Sequence, residues 1–364
     1  MNWPVIHHSD PKMQDLYESV CTKRFFKNQD FRFSDRDYPV IDVLKNGNYV
    51  IHEAHFMPLQ SAWNSRQTIS NTGPRSGWIE PKTKKIDKTI CGDYIAFCTW
   101  FNGNYGHTMH DSLPYLAWLK NKFPDKRFIL FDNPLNKKLI KFIDQDFYEQ
   151  IFWIKKNETV NVKGELIVST PDMHPCIMHK NLMKYLMKWF KEKLTAKPSL
   201  KNVIYYDRSV GVGHGRILNH ECQNQILNSI RSWMSGNQIE GELILFSGTN
   251  EDNTRVSIED QFDIFRSAHT VIGPHGTGLV NIMWSDLYGD TPIKLIEFIP
   301  GDVGYSSQVQ TPFQGYHNVL SYLPIDYHCL LYEKKSTNKE TFISTNHLKS
   351  ALSLSDINSE DKKC

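Results

Sequence analysis

Three stretches of the chain hold side chains whose types and spacing could do chemistry. The first is Ile272-Gly273-Pro274-His275-Gly276-Thr277-Gly278-Leu279-Val280-Asn281. An apolar strand pattern runs into glycines and then into an apolar helical pattern. Small residues at such a turn let a ligand approach the backbone, and the N–H groups at a helix start favour a phosphate or diphosphate. His275 could donate to a phosphate oxygen. The spacing G-P-H-G-T-G is not the dinucleotide pattern G-x-G-x-x-G, so a turn built only for packing, with a histidine satisfied by backbone, stays open. The second stretch is Tyr205-Tyr206-Asp207-Arg208, followed by Arg216, Asn219 and Glu221. Arg208 stands just past a strand pattern, and a guanidinium fork suits a diphosphate. An ordinary ion pair with Asp207 or Glu221 is the plain alternative. The third runs from Asn104 to Pro114 and holds His107, His110 and Asp111. At helical spacing His107 and Asp111 share a face, which suits general base chemistry with Asp111 as base and His107 orienting it, or the reverse. Asp111 as a helix N-cap, or the three residues as metal ligands, remain alternatives.

Elements able to position these groups are legible from about residue 93 onward. Tyr94–Trp100 reads as a buried strand, Gly106–Phe123 as a helix, Arg127–Phe131, Ile151–Ile154 and Glu165–Val168 as strands, and Lys180–Leu194 as an amphipathic helix. Thr195–Ser199 breaks that pattern. A second series follows: strands at Val203–Tyr206, Leu243–Phe246, Thr270–Ile272 and Lys294–Phe298, with helices at Glu221–Met234, Ile258–Arg266 and Thr277–Trp284. Strands alternating with helices predict an α/β fold with parallel sheets, here two Rossmann-like, doubly wound halves facing a central cleft. Ligands in such sheets bind at the carboxyl ends of the strands, near topological switch points. The expected organisation is an N-terminal Rossmann-like unit over 1–195, a C-terminal Rossmann-like unit over 196–335, and a partly disordered tail over 336–364. Residues 1–90 read only as short strands and loops.

Composition narrows the class. The 364 residues carry 42 Lys and Arg against 40 Asp and Glu, so a net charge of +2 argues against a protein built to grip nucleic acid. No apolar run reaches the 18 or so residues of a membrane helix, and the N-terminus lacks a basic-then-apolar leader. As written the chain reads as cytoplasmic, with Golgi or endoplasmic reticulum residence only if a leader or anchor has been trimmed. Seven scattered cysteines without a C-x-x-C pair suggest reduced thiols. Two D-x-D triplets occur, Asp35-Arg36-Asp37 in a charged stretch and Asp144-Gln145-Asp146 after a helical pattern. Neither ends an apolar strand, where a cation-bridged diphosphate site would use one, so no obligatory metal is expected.

Taken in order, the motifs H-x-x-x-D-x-L-P (His107 to Pro114), R-x(n)-R-x-x-N-x-E (Arg208, Arg216, Asn219, Glu221) and G-P-H-G-x-G-L-x-N (Gly273 to Asn281), then E-F-x-P (Glu297 to Pro300), resemble the family 61 glycosyltransferases. That family includes plant xylosyl- and arabinosyltransferases and animal protein O-linked N-acetylglucosaminyltransferases. The resemblance implies a GT-B fold and inverting transfer from a UDP-sugar, with xylose or N-acetylglucosamine favoured, to a hydroxyl of a glycan or glycoprotein. It places the donor diphosphate on Arg208, His275, Gly276, Thr277 and Gly278, counts Arg216 among the donor-binding residues, and puts the nucleoside ribose on Glu297. It makes 1–195 the acceptor side, with His107 and Asp111 near the acceptor, and 196–335 the nucleotide-sugar-binding side. The chain departs from relatives in Gly106 before the motif histidine, in His110, and in the Gly-Val-Gly-His-Gly run between Arg208 and Arg216. Two other readings compete with transfer: a non-catalytic nucleotide- or sugar-binding protein on the same fold, and a metal-dependent phosphoesterase using His107, His110, Asp111 and His174 or His275.

Overall fold

The computed structural model of the chain describes residues 5–7, 41–52, 86–97, 105–155, 158–169, 181–193, 201–208, 218, 220–287, 292–300, 325–332 and 343–353. Two compact units are present: Asp30–Lys193, and Met1–Gln29 together with Leu194–Cys364. The break lies beside the Thr195–Ser199 segment. The first strand, β1 (Val5–His7), belongs to the sheet of the second unit, so that unit draws on both ends of the chain rather than on 196–335 alone.

The unit Asp30–Lys193 is built on β2 (Ile41–His52), β3 (Lys88–Cys91), β4 (Tyr94–Phe97), β5 (Arg127–Phe131), β6 (Ile151–Ile154) and β7 (Thr159–Ser169). The sheet order is β2-β7-β4-β5-β6, with β3 also on β7. Only the β2–β7 pair is antiparallel. Strand β4 is buried along its whole length, as a central parallel strand covered on both faces must be. Between β4 and β5 the chain forms α1 (Tyr105–His107), a π-helical turn (Thr108–Ser112) and α2 (Leu113–Lys122). Pro114 explains the wide turn. It has no N–H for the His110 carbonyl four residues back, and its ring would press on that carbonyl in an ordinary α-turn. Ser112 stands at the start of α2, so Asp111 lies within the π turn instead of capping the helix.

Beyond β5 come α3 (Pro134–Ile143) and α4 (Gln145–Glu149), then, after β7, α5 (Met183–Lys193). Asn133 caps α3 by accepting from Leu135 N and Asn136 N. Asp144 caps α4 by accepting from Phe147 N at 2.8 Å, and also takes Trp189 Nε1 at 2.9 Å and Lys120 Nζ at 3.1 Å. The triplet Asp144-Gln145-Asp146 is therefore the cap and first turn of α4, and its first carboxylate works as a structural clasp.

The second unit carries β8 (Asn202–Tyr206), α6 (His220–Gly236), β9 (Leu243–Phe246), α7 (Ile258–Phe265), β10 (Ala268–Pro274), a 3₁₀ helix (Thr277–Trp284), β11 (Ile293–Pro300), β12 (Ile325–Tyr332) and α8 (Thr345–Ser353). Its sheet is wholly parallel, in the order β1-β12-β11-β10-β8-β9. Counted from β8, that is the doubly wound order 2-1-3-4-5 with β1 added at the far edge. Strand order reverses between β8 and β10, which makes that gap the topological switch point. The core joins Val203 and Tyr205 of β8, Ile226 and Ile230 of α6, Ile272, and Phe298.

Two elements differ from expectation. Thr277–Trp284 is a 3₁₀ helix, buried from Leu279 to Trp284 and tied to α7 by Asn281 Nδ2 donating to Gln261 Oε1 at 2.9 Å. Helix α8 lies inside 336–364, which had read as a tail. Leu348, Ala351 and Leu352 are buried, and Lys294 Nζ donates to the Ala351 and Leu352 carbonyls at 3.2 Å each, satisfying the helix end. Beside that lysine Asp326 meets His328 at 3.0 Å. Burial pushes the Asp326 carboxyl up, but His328 and Lys294 outweigh it and hold the group below its ordinary value.

Asp144→Ala is expected to destabilise the protein by about 1–3 kcal/mol in urea unfolding, through a lost cap and a lost indole hydrogen bond. Burial raises the Asp144 carboxyl, yet the donations from Phe147, Trp189 and Lys120 win and lower it below its ordinary 3.8. Its contribution is therefore full above the unfolded value and is lost as pH falls through the depressed folded value. Asp144→Asn should flatten the acid limb of the stability curve, and an unchanged limb would contradict that account.

Candidate active site

Strands β8 and β10 end side by side at the switch point, and the residues that follow them build one cluster. Past β8 come Asp207 and Arg208, and past β10 come His275 and Gly276. Arg208 Nη1 donates to the His275 carbonyl at 2.6 Å, joining the two strand ends. His275 N donates to the Phe298 carbonyl of β11 at 2.8 Å. The histidine backbone is thus held from both sides. Its ring Nδ1 bonds Glu297 Oε1, and Tyr327 Oη of β12 donates to Glu297 Oε2 at 2.5 Å. Glu297 is 0% exposed, whereas the His275 side chain is 20% exposed. A carboxylate buried that deeply needs partners on its oxygens, and the histidine and tyrosine supply them.

Glycine is required at two points for close approach. A Cβ on Gly278 would run into the Tyr206 ring, and one on Gly276 would strike both Arg208 Nη1 and that ring. Tyr206 therefore forms the wall against which the turn is laid. The Arg208 guanidinium lies 5.9 Å from the Tyr206 ring centroid, on the same wall. The 3₁₀ helix then begins at Thr277, and its first N–H groups open at this turn, where helical geometry gives them no partner within the helix. Arginine, a partly exposed histidine and helix-start N–H groups on one strand edge can bind an anion and stabilise charge that develops on it.

Of the residues expected from the sequence, Arg208, His275, Gly276, Thr277, Gly278 and Glu297 come together here. His107 and Asp111 belong to the other unit. They lie in the helical segment that follows β4, with Asp111 in the π turn, and their side chains are outside the described residues. Arg216, Asn219 and His174 are also outside the described residues. Sequence reasoning gave Tyr206 and Tyr327 no role. The signal for Tyr206 was its place two residues before Arg208. Tyr327 could not have been paired with Glu297 without the strand register, which sets Tyr327 beside Leu295 on β11.

Comparison with known proteins places this geometry in context. A family model described as Glycosyltransferase 61 matches residues 105–288, just over half of the chain. The match spans His107, Asp111, Arg208, Arg216 and His275–Gly278, and ends before Glu297 and Tyr327. No curated protein matches the chain. Among solved structures, the chain is similar to the E. coli heptosyltransferase WaaC with ADP, at 10% identity and a TM-score of 0.35, over 72% of this chain and 96% of that one. WaaC with ADP-2-deoxy-2-fluoro heptose gives the same identity and TM-score over 72% and 98%.

The contact between the turn and its tyrosine wall can be measured by a double-mutant cycle. Gly278→Ala alone should cost about 1–3 kcal/mol by overpacking. In a Tyr206→Ala background the clash is gone, so the two costs should fall short of their sum by about 1 kcal/mol or more. Strict additivity in urea unfolding would show that the ring does not confine the turn.

Proposed function

The chain belongs to the glycosyltransferase 61 family, and from that premise we propose that it moves a sugar from a UDP-sugar to a hydroxyl of a glycan or glycoprotein, with inversion at the anomeric carbon. The observation that carries the reading is the Arg208–His275 cluster, laid on a glycine turn at the switch point of a doubly wound sheet. Such a position is where α/β sheets receive ligands, and its chemistry is that of an anion site. Xylose and N-acetylglucosamine are the favoured sugars, on the strength of the motif resemblance.

In this reading Asp111 takes the proton of the acceptor hydroxyl and His107 orients it. The freed oxygen attacks the anomeric carbon as the bond to the β-phosphate oxygen breaks on the opposite face. A single displacement of this kind inverts the centre. Negative charge gathers on the departing UDP, where Arg208, His275 and the N–H groups at Thr277 and Gly278 stabilise it. Arg216, carried by the same motif as Arg208, is assigned to donor binding as well. Fixed cationic groups fill the place of a bridging metal ion, so none is obligatory. Glu297 stands behind His275, with both oxygens engaged, and we assign it to the histidine rather than to a ribose.

UDP should raise the melting temperature, because a ligand bound only by the folded state adds stability, about 2.7 kcal/mol at 100 times its Kd. The shift should survive EDTA and should be largely erased in Arg208→Ala and His275→Ala. Arg208→Lys should restore little of it, since an ammonium lacks the fork. An undiminished shift in both alanine variants would overturn the donor-site assignment.

The base has a separate test. Asp111→Asn keeps size but not basicity, so transfer should fall by about 100-fold or more while the UDP shift and melting temperature stay near wild type. Wild-type transfer by that variant would remove Asp111 from the chemistry and leave His107 as the base.

A further inference from the structure

The described residues around His275 form a chain that begins deep in the sheet. Tyr327 on β12 is 9% exposed, and Glu297 on β11 is 0% exposed. The tyrosine hydroxyl donates to one carboxylate oxygen at 2.5 Å, and the other oxygen meets His275 Nδ1. Neither Glu297 nor Tyr327 falls within the segment that the family comparison matches. We propose that Tyr327, acting through Glu297, is a positioning residue for His275, fixing Nδ1 as the nitrogen that donates inward and so presenting Nε2 to the diphosphate of the donor. This rests on the reading that His275 meets that diphosphate.

The physical argument has three steps. An imidazole has two ring nitrogens on different edges, and the partner of one decides which is left for a ligand. A carboxylate only accepts, so the nitrogen facing Glu297 must carry a hydrogen whether the ring is neutral or charged. The carboxylate can hold that role only while it does not swing. Its second oxygen is anchored by Tyr327, and the backbone of His275 is held by Phe298 O and Arg208 Nη1. Every rotation that would exchange Nδ1 for Nε2 therefore breaks a hydrogen bond to a buried charge, and such bonds are stronger than neutral ones. The depth of the chain explains why a tyrosine serves. Its ring is buried, and its hydroxyl reaches a carboxylate that is 0% exposed.

The test uses the full chain with UDP as probe. Tyr327→Phe removes one hydroxyl and little volume, Glu297→Gln keeps shape and removes the charge, and His275→Ala is the reference. Calorimetric titration should show UDP affinity falling about tenfold in Tyr327→Phe, the weight of roughly one charge-assisted hydrogen bond. Glu297→Gln should fall at least as far. Nitrogen-15 NMR of the His275 ring should change from a single state, with hydrogen on Nδ1, to a mixture of tautomers in both variants. A role in packing alone would lower the melting temperature but leave the ring spectrum unchanged. If His275→Ala binds UDP like wild type, the donor-site reading itself fails. If His275→Ala loses UDP while Tyr327→Phe and Glu297→Gln keep wild-type affinity and a single Nδ1–H tautomer, the positioning role is overturned and the donor site stands.

Discussion

A carboxylate sealed inside a parallel sheet is an expensive object, and the site is organised around the one at Glu297. Removing a charge from water costs several kcal/mol unless other groups replace the hydration. Among the described residues, Glu297 meets that demand with His275 from the turn after β10 and Tyr327 from β12. The same bonds fix where the turn can lie. Held by its ring from Glu297 and by its backbone from Phe298 and Arg208, His275 links the ends of β8 and β10 to β11 and, through the carboxylate, to β12. The switch point supplies an opening between strands, and the buried charge decides which side chain stands in it.

Close approach is the second constraint, and it works through absence. The turn Gly276-Thr277-Gly278 can be laid on the Tyr206 ring because two of its three residues lack a Cβ. The 3₁₀ helix that follows is longer than such helices ordinarily run, and burial explains its persistence. Leu279–Trp284 is enclosed, and Asn281 and Trp284 bind it to α7 through a hydrogen bond to Gln261 and an edge contact with Phe262. Packing thus sets the pitch of the helix, and the glycines set how near its first N–H groups come to the wall.

The unit Asp30–Lys193 shows a related economy of means. Pro114 removes one N–H from a continuous helical run, and the backbone answers with a π turn at the motif carrying Asp111. Such turns recur at functional positions in other proteins because they alter the outward direction of a few residues without ending the helix. Elsewhere in the unit charged groups serve structure. Asp144 ties α4, α5 and Lys120 together, and Lys126 pairs with Asp93 at 2.8 Å and with Glu165 at 2.9 Å across the strand ends. The described residues include no helix long and apolar enough to cross a membrane.

Much of the fold was legible in the sequence because parallel strands and their helices leave periodic marks. Leu243–Phe246 was read to the residue, and β8, β10 and β11 were found within a few residues of their ends. The glycine turn, Arg208 and His275 could be named because few chemistries need such residues directly after a strand. Other features left no local mark. The apolar spacing of Leu348, Ala351 and Leu352 was present, but a short helix at the end of a polar stretch gains its stability from the sheet it covers, not from its own nine residues. Strand β1, three residues long, acquires a partner only when β12 is formed. For Glu297 the family resemblance offered a nucleoside ribose, and nothing in its local sequence named a protein partner. Only the register of β10, β11 and β12 placed His275 and Tyr327 on its two oxygens, since contacts between residues 22 and 30 positions apart are set by strand pairing and not by any local preference of the chain.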